Sequence, residues 1–559
     1  MKIIYTIILN LIAFSNSNAQ LLELSNAQNI YDCKKEIAAS FEPNKVGNWN
    51  GWGNNIEQTR AQTPENTQLS IEDIPKLKLK WATSFSGSFK NDSQPNVYGG
   101  LIFTSGGSER MYAINSKNGC VVWSFQASGR IRSAVTVAKI EEKYYLFFGD
   151  LSSHAYAVSP DNGKLYWRTK IENHKGSLIT GAPTYHNETV YFPVAGGGEE
   201  GLAAISSYEC CTFRGSIAAL NAKNGALLWK VQTIKEGIQN TGKNKKGVNS
   251  YGPSGAGIWS SPSIDSAKST LYATTGNNFS LPGTDTSDAI IEVSLINGSF
   301  NWVKQITKDD VTNISCYTQD LANCPSIPST KAPDHDFASS PIIAKLSNNK
   351  KLIIAGQKSG VVTAVEPDNN GNILWQTKIG KGGNLGGIQY GMAYLNDTIY
   401  AAVADTTIHS KSDTKLDKHQ QGIDGWYLLS VVGGGMYAID ASTGKLKWAT
   451  PHPGCNTGGT SQTGCSRSQS AAVTVINDVV FSGGLDGHLR AYDTQSGKII
   501  WDMNTNLKIK GNNGAIVIGG SFDGPGPVIV NGVLYVNSGY QMFGGYPGNA
   551  LFAFSVDGK

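Results

Sequence analysis

Apolar and polar residues alternate along most of the chain in short runs, broken every few positions by Gly, Asn or Asp. A period of two predicts β-strands with one buried face. One unit recurs: a strand with alanine on its buried face, a polar pair, glycine, three residues and tryptophan. It runs from Ala113-Ile114-Asn115 to Gly119 and Trp123, from Ala157-Val158 to Gly163 and Trp167, and from Ala219-Leu220-Asn221 to Gly225 and Trp229. Looser copies end at Gly298 and Trp302 and at Gly371 and Trp375. The unit returns from Ala438-Ile439-Asp440 to Gly444 and Trp448, and from Ala491-Tyr492-Asp493 to Gly497 and Trp501. Asn or Asp opens the turn and glycine takes its positive-φ position. A small alanine on one blade is expected to leave room for an indole from its neighbour, so that repetition around a circle makes a girdle. Tryptophans scattered in an ordinary β domain would not keep so constant a distance from glycine.

The ends complete the count. Ala553-Phe554-Ser555-Val556-Asp557-Gly558-Lys559 stops before its tryptophan, and Leu77-Lys78-Leu79-Lys80-Trp81 supplies one. The prediction is an all-β, eight-bladed propeller with tryptophan-docking repeats, closed by N- and C-terminal strands sharing one blade, which removes the exposed sheet edge. The propeller spans 77–559 and residues 20–76 are an N-terminal extension leading into it. Later blades are longer, so their insertions are expected as loops on one rim.

Residues 1–19 read as a secretory signal: Lys2, a mostly apolar Ile3 to Phe14, then Ser17-Asn18-Ala19 before Gln20. A membrane anchor is the other reading, but the apolar run is short for a span. The expectation is a periplasmic or secreted protein without a transmembrane segment after cleavage, in which disulfides are permissible. The net charge of +4 is small for 559 residues and forms no basic stripe, so nucleic acid is not an indicated partner. No P-loop, dinucleotide fingerprint or Gly-x-Ser-x-Gly elbow occurs. Without Cys-x-x-Cys-His, no covalently attached c-type haem is expected.

Cys316 with Cys324, and Cys455 with Cys465, are close enough in sequence to staple single loops. Cys210 and Cys211 are adjacent. Across a trans peptide their Cα atoms would lie ~3.8 Å apart, below the roughly 4.4–6.8 Å usual for a disulfide. They are a strained ring, two buried thiols, or partners for Cys33 and Cys120. Those last two pair or stay free; spacing does not decide.

The eightfold unit resembles that of the quinoprotein alcohol dehydrogenases, and within them the polyvinyl-alcohol-dehydrogenase-like proteins. The stretches that carry the likeness are Cys210-Cys211-Thr212-Phe213-Arg214-Gly215-Ser216, Gly356-Gln357-Lys358-Ser359-Gly360, Ser482 to Asp493 and Asp523-Gly524-Pro525-Gly526-Pro527. The resemblance implies pyrroloquinoline quinone (PQQ) and Ca²⁺ as cofactors. It makes a Cys210–Cys211 ring one face of the quinone cage and Trp259, in Gly257-Ile258-Trp259-Ser260-Ser261-Pro262, the other. Asn277, Glu200 (with Glu199 as fallback) and Asp336 are the implied metal ligands, hard oxygens of the kind calcium takes. Asp336 is the implied base for the alcohol proton, and Lys358 the cation at the quinone oxygens. Gln389 stands where many relatives carry asparagine. Arg132 and Arg214 suit the cofactor carboxylates, or are structural ion-pair partners. Any one of these carboxylates alone would more often be a solvated loop residue; their joint order along the chain points to a site.

The implied function is oxidation of a small or polymeric alcohol, with electrons leaving to a separate acceptor such as cytochrome c. The alternative is a propeller of the same repeat that scaffolds envelope proteins, or a degenerate quinoprotein. Fold alone does not separate these.

Overall fold

The computed structural model describes Cys33 and residues 40–559, apart from 46, 86, 89, 319, 326–331, 411–425, 430–432, 455–465, 513 and 541–544. The signal and the Cys455/Cys465 staple lie outside the described residues. Eight blades of four antiparallel strands follow one another around an axis, seven as four-stranded sheets and the seventh as a five-stranded sheet to which Ala61–Gln62 adds in parallel. Blade 1 comprises Asn96–Tyr98, Leu101–Thr104, Arg110–Asn115 and Val121–Gln126. Blades 2 to 7 repeat this order and end at Asn504. Blade 8 takes Val528–Val530, Val533–Ser538 and Ala550–Val556 from the C-terminus, and its outer strand, Leu77–Ser84, from the N-terminus.

The register explains the repeat and corrects one expectation. Alanine of each third strand lies directly opposite the tryptophan of its own blade: Ala113 with Trp123, Ala219 with Trp229, Ala438 with Trp448, Ala553 with Trp81. Blade 4 has Glu292 there, opposite Trp302. In every blade a bulge sits one step away, as between Ala113 and Ile114 or Ala364 and Val365. The extra residue turns the outer strand and re-aims the indole. Room for that indole comes from the glycine of the next blade, not from its alanine. A Cβ on Gly163 would lie 2.7 Å from the Trp123 ring, and one on Gly225, Gly298, Gly371, Gly444 or Gly497 would lie 2.6 Å from the ring of the preceding blade's tryptophan. These glycines also have φ between +66° and +75°, which favours the residue without a side chain.

Indole N–H groups complete six of the joints, those of Trp81 and Trp302 having no partner among the described residues. Trp123 Nε1 donates to Pro160 O (3.0 Å), Trp167 to Ala222 O (2.9 Å) and Trp375 to Ala441 O (3.0 Å). Where threonine follows two residues after tryptophan, its hydroxyl donates to the docking glycine's carbonyl, as Thr83 does to Gly119 (2.6 Å) and Thr450 to Gly497 (2.7 Å).

Because each blade is antiparallel, the turns from second to third strand share one rim with the connections between blades. The other rim holds the Asn/Asp–Gly turns of the repeat. The insertions are on the first rim and begin already in blade 3, with the helix Gly197–Leu202. Hairpins Gln239–Lys243/Asn249–Gly252 and Lys508–Lys510/Ile516–Ile518 follow on it.

The N-terminal extension does more than lead in. Between residues 49 and 62 it touches the innermost part of all eight blades: Trp49 bridges Val97, Asn50 Nδ2 donates to Val137 O, and Gln58 Nε2 to Thr184 Oγ1. The carbonyls of Ile56, Glu57 and Thr59 accept from Ile264, Ile343 and Tyr394. Ala61–Gln62 pairs in parallel with blade 7, and Gln62 Nε2 reaches Ile529 O. This segment fills one end of the axis. Disulfides join Cys33 to Cys120, Cys210 to Cys211 and Cys316 to Cys324.

Gly225→Ala forces a methyl into the Trp167 ring at positive φ. It should cost about 2–4 kcal/mol of apparent stability in denaturant unfolding. Gly237→Ala, whose Cβ would meet nothing within 4 Å, should be neutral; equal losses would refute the docking account.

Candidate active site

On the loop-bearing rim a cavity of about 380 Å³ opens at the axis, within the roughly 300–1,000 Å³ of small-molecule sites. Its lining comes from the two kinds of connection on that rim. Arg132 links blades 1 and 2, Trp259 blades 3 and 4, Asp334 and Asp336 blades 4 and 5, and Gln389 and Tyr390 blades 5 and 6. Glu200, Asn277, Lys358 and Tyr540 sit in turns from second to third strand. Thus residues spread over four hundred positions meet because their connections are equivalent.

One pole of the cavity is rich in carboxylates. Lys358 Nζ lies 2.7 Å from Asp336 Oδ2 and 3.1 Å from Asp334 Oδ1. Asp336 Oδ1 accepts from the backbone N–H of Asn277 at 2.7 Å. A side chain at Gly276 would collide with that carboxylate, at 2.8 Å. Burial alone would depress the Lys358 ammonium; the fields of Asp334, Asp336 and Glu200 outweigh it and hold the group charged. Burial, reinforced by Asp336, pushes the Glu200 carboxyl up to about 7 against the pull of Lys358.

The other pole is cationic and phenolic. Arg132 Nη2 donates to Tyr390 Oη at 3.0 Å, and its guanidinium carbon lies 5.5 Å from the Tyr390 ring centre. Burial works against the Arg132 charge, but Tyr390, Tyr540, Asp92 and Asp523 more than compensate. Between the poles stands Trp259, its ring edge-on to Tyr390 at 6.1 Å and 5.6 Å from Lys358 Nζ.

The cavity therefore gathers Asp336, Lys358, Trp259, Arg132, Gln389, Glu200 and Asn277. It does not gather the rest. Arg214 is absent from the lining, and its Nη1 donates to Glu236 O at 3.1 Å. The Cys210–Cys211 cystine is also absent from the lining; its peptide is cis, with Cα atoms 3.1 Å apart, where a trans bond was assumed. It packs in an apolar cluster with Phe213 and Phe279, and only Phe279 reaches the cavity. Glu199 points away from the cavity. Its carboxylate accepts from the backbone N–H groups of Thr212 (2.8 Å) and Phe213 (2.7 Å) and from Tyr208 Oη (2.8 Å), holding the loop that carries the cystine. Of the two glutamates, Glu200 is the one that faces the cavity.

Sequence reasoning missed Asp334, Tyr390 and Tyr540. Asp334 stood two residues from Asp336, a visible signal. Tyr390, next to Gln389, and Tyr540 had none outside the fold. Among the described residues no three His, Cys, Asp or Glu side chains converge closely enough to enclose a metal by themselves. Oxygen donors are nevertheless present: Glu200 and Asp336 with the Asn277 amide, in a pocket whose carboxylates outnumber its single lysine. That excess of negative charge suits a hard divalent cation.

A family model described as "Outer membrane protein assembly factor BamB" matches residues 61–209 and 358–544. Polyvinylalcohol dehydrogenases of Pseudomonas sp and Sphingopyxis sp. (strain 113P3) are 36% and 35% identical, each over 91% of this chain and 77% of the relative. The chain belongs to the quinoprotein alcohol dehydrogenases, built on the propeller repeat that the family model describes. As a member it is an oxidoreductase acting on CH–OH groups. The crystal structure of quinohemoprotein alcohol dehydrogenase from Comamonas testosteroni superposes with a TM-score of 0.64 at 17% identity, covering 94% of this chain and 83% of that one. A europium-containing methanol dehydrogenase gives 0.62 at 16%, covering 92% and 99%. These two share the fold. Among the described residues no helix is long and apolar enough to cross a membrane.

Because the Glu200 carboxyl rises from its ordinary value to about 7, its ionisation opposes folding. Metal-free protein should lose stability as pH climbs from about 4.5 towards 7. Glu200→Gln should flatten that slope in thermal melts recorded across pH. An unchanged slope would mean that Glu200 ionises freely.

Proposed function

We propose that this quinoprotein dehydrogenase binds PQQ and Ca²⁺ in the axial cavity and oxidises an alcohol there. The observation that carries the reading is the coincidence of one indole face, a carboxylate–lysine pole and an arginine pole within one pocket. Trp259 offers a flat surface for a quinone ring. Arg132 suits its carboxylates, and Gln389 lies close by. Glu200, Asn277 and Asp336 would hold the calcium. The cystine, in the same apolar cluster as the lining residue Phe279, would back the wall that Phe279 forms. Arg214, turned to Glu236 O, has no part in this reading.

When bound, the quinone supplies the two-electron acceptor and the calcium a Lewis acid. The chain does the rest. Asp336, fixed by Asn277 N–H on Oδ1 and by Lys358 on Oδ2, takes the proton of the substrate hydroxyl. Lys358 stays charged through its carboxylate neighbours and can stabilise negative charge developing near the Trp259 ring. Ile314, Tyr317 and Leu385 give the cavity an apolar flank for the carbon skeleton of the alcohol, and the lining residue Gly201 has open space where a side chain would stand. That shape accommodates a secondary or polymeric alcohol, and the relatives named for polyvinyl alcohol make that polymer the first substrate to try. Electrons would pass to a separate acceptor such as cytochrome c, in the periplasm or outside the cell after cleavage behind Ala19.

A scaffolding role has one point in its favour, the family model named for an assembly factor. That match stops at residue 209 and resumes at 358. The stretch between holds Trp259, Asn277, Asp334 and Asp336, which a scaffold does not require.

Protein supplied with PQQ and Ca²⁺ should reduce an artificial dye when given secondary alcohols. Asp336→Asn should lower kcat about 10²–10⁴-fold with an unchanged circular dichroism spectrum. A variant running at full rate would remove Asp336 as the base, and a wild type inert towards every alcohol would remove the function.

A further inference from the structure

Behind the carboxylate pole lies a second acidic pair that the reaction does not use. Asp288 belongs to the turn between second and third strands of blade 4, and Asp310 to the connection between blades 4 and 5. Both are wholly buried. Asp310 is partly satisfied: its oxygens accept the backbone N–H groups of Asp334 (3.0 Å) and His335 (2.6 Å). Asp288 is not. Neither of its carboxylate oxygens has a hydrogen-bond partner, although buried polar groups are nearly always paired. The charges that act on Asp288 most strongly are Asp310, Asp336 and Asp334, all of its own sign. The opposing cation is Lys358, already committed to Asp334 and Asp336.

We propose that Asp288 and Asp310 hold a second divalent cation, of the Ca²⁺ class, in the wall of the cavity. The ligand chemistry selects the ion. The charged groups acting on Asp288 are carboxylates and one lysine, with no thiolate or imidazole among them, which favours calcium or magnesium over zinc or copper. Calcium is preferred because it tolerates irregular coordination completed by main-chain carbonyls and water. Charge balance points the same way. Glu200, Asp288, Asp310, Asp334 and Asp336 bring five negative charges against one lysine. A single divalent ion at the cavity ligands leaves a net charge of minus two in the interior, and a second removes it.

The ion would act by positioning. Asp310 already grips the backbone of Asp334 and His335, and Asp288 N donates to Gly276 O, beside Asn277. A cation between the two carboxylates would lock the loop bearing Asp336 to the turn bearing Asn277.

The charge count uses the calcium of the proposed function, so the test separates the two sites. Full-length protein is incubated with Ca²⁺, gel-filtered and assayed for bound calcium. Wild type should retain two ions per chain, and Asp288→Asn and Glu200→Gln one each. Asp288→Asn should still take up PQQ, read from the absorbance of the bound quinone. Equal calcium in wild type and Asp288→Asn overturns the second site. Loss of an ion in Asp288→Asn but none in Glu200→Gln keeps the second site and removes the cavity calcium instead. Should Asp288→Asn not fold, a wild-type crystal grown in calcium decides: a density peak between Asp288 and Asp310 upholds the site, and its absence overturns it.

Discussion

The seating of the indoles on the glycine of the next blade, seen at every joint but that of Trp501, is the contact on which the rest depends. It sets the angle between neighbouring blades, because ring and backbone meet without an intervening side chain. Repeated around the ring and closed by Leu77–Ser84, it fixes how far the first strands stand from the axis. That distance leaves an axial space too wide for strand side chains to fill. One end is filled by residues 49–62, and the other becomes the cavity. The docking turns lie on the rim opposite the cavity. Stability and chemistry are thereby kept apart, and the loops near Asp336 can vary in length without loosening a blade joint.

Electrostatics gives the cavity its direction. Carboxylates crowd one pole and Arg132 with two tyrosines the other. A flat ligand with carboxylates at one end and carbonyl oxygens at the other has one favourable orientation in such a field. Burial, with Asp336 beside it, raises the Glu200 carboxyl, so an unneutralised charge at this pole costs stability. Sites that break the ordinary rules of burial are where function is expected.

Much of this was legible in the chain. Constant glycine-to-tryptophan spacing carried the blade count, and the missing tryptophan after Gly558 carried the closure. Asn277, Asp336, Lys358 and Trp259 were marked by their order in family-like stretches. What was not legible depended on contacts between distant residues. Alanine was assigned the space that glycine provides, because a strand pattern shows which face is buried but not which neighbour lies against it. The bulge before each tryptophan is a matter of register, which composition does not encode. Arg214 lies near the cystine in sequence yet points to Glu236 O, since a single side-chain direction decides whether a loop residue meets the axis.

The extension was the hardest part to foresee, and its chemistry explains why. Arg60 is buried, and among the described residues no carboxylate pairs with it. Its guanidinium donates to Val473 O and Trp52 O (each 2.6 Å), Gln94 Oε1 (2.8 Å) and Thr474 Oγ1 (3.0 Å), and lies over the Trp49 and Trp52 rings. Burial lowers its pKa to about 9, so the cation is held by dipoles and indole faces alone. No such set of partners exists until blades 1 and 7 stand on either side of the axis. The partners of this segment thus lie at both ends of the chain, as do those of Leu77–Ser84, which pairs with the C-terminal strand. The Cys33–Cys120 bond ties this N-terminal region to blade 1. Asn512, from the connection between blades 7 and 8, donates to Asn118 O in the same turn. Plug, seam and disulfide therefore meet where the ring closes, and the axial cavity takes its final shape only when that closure is made.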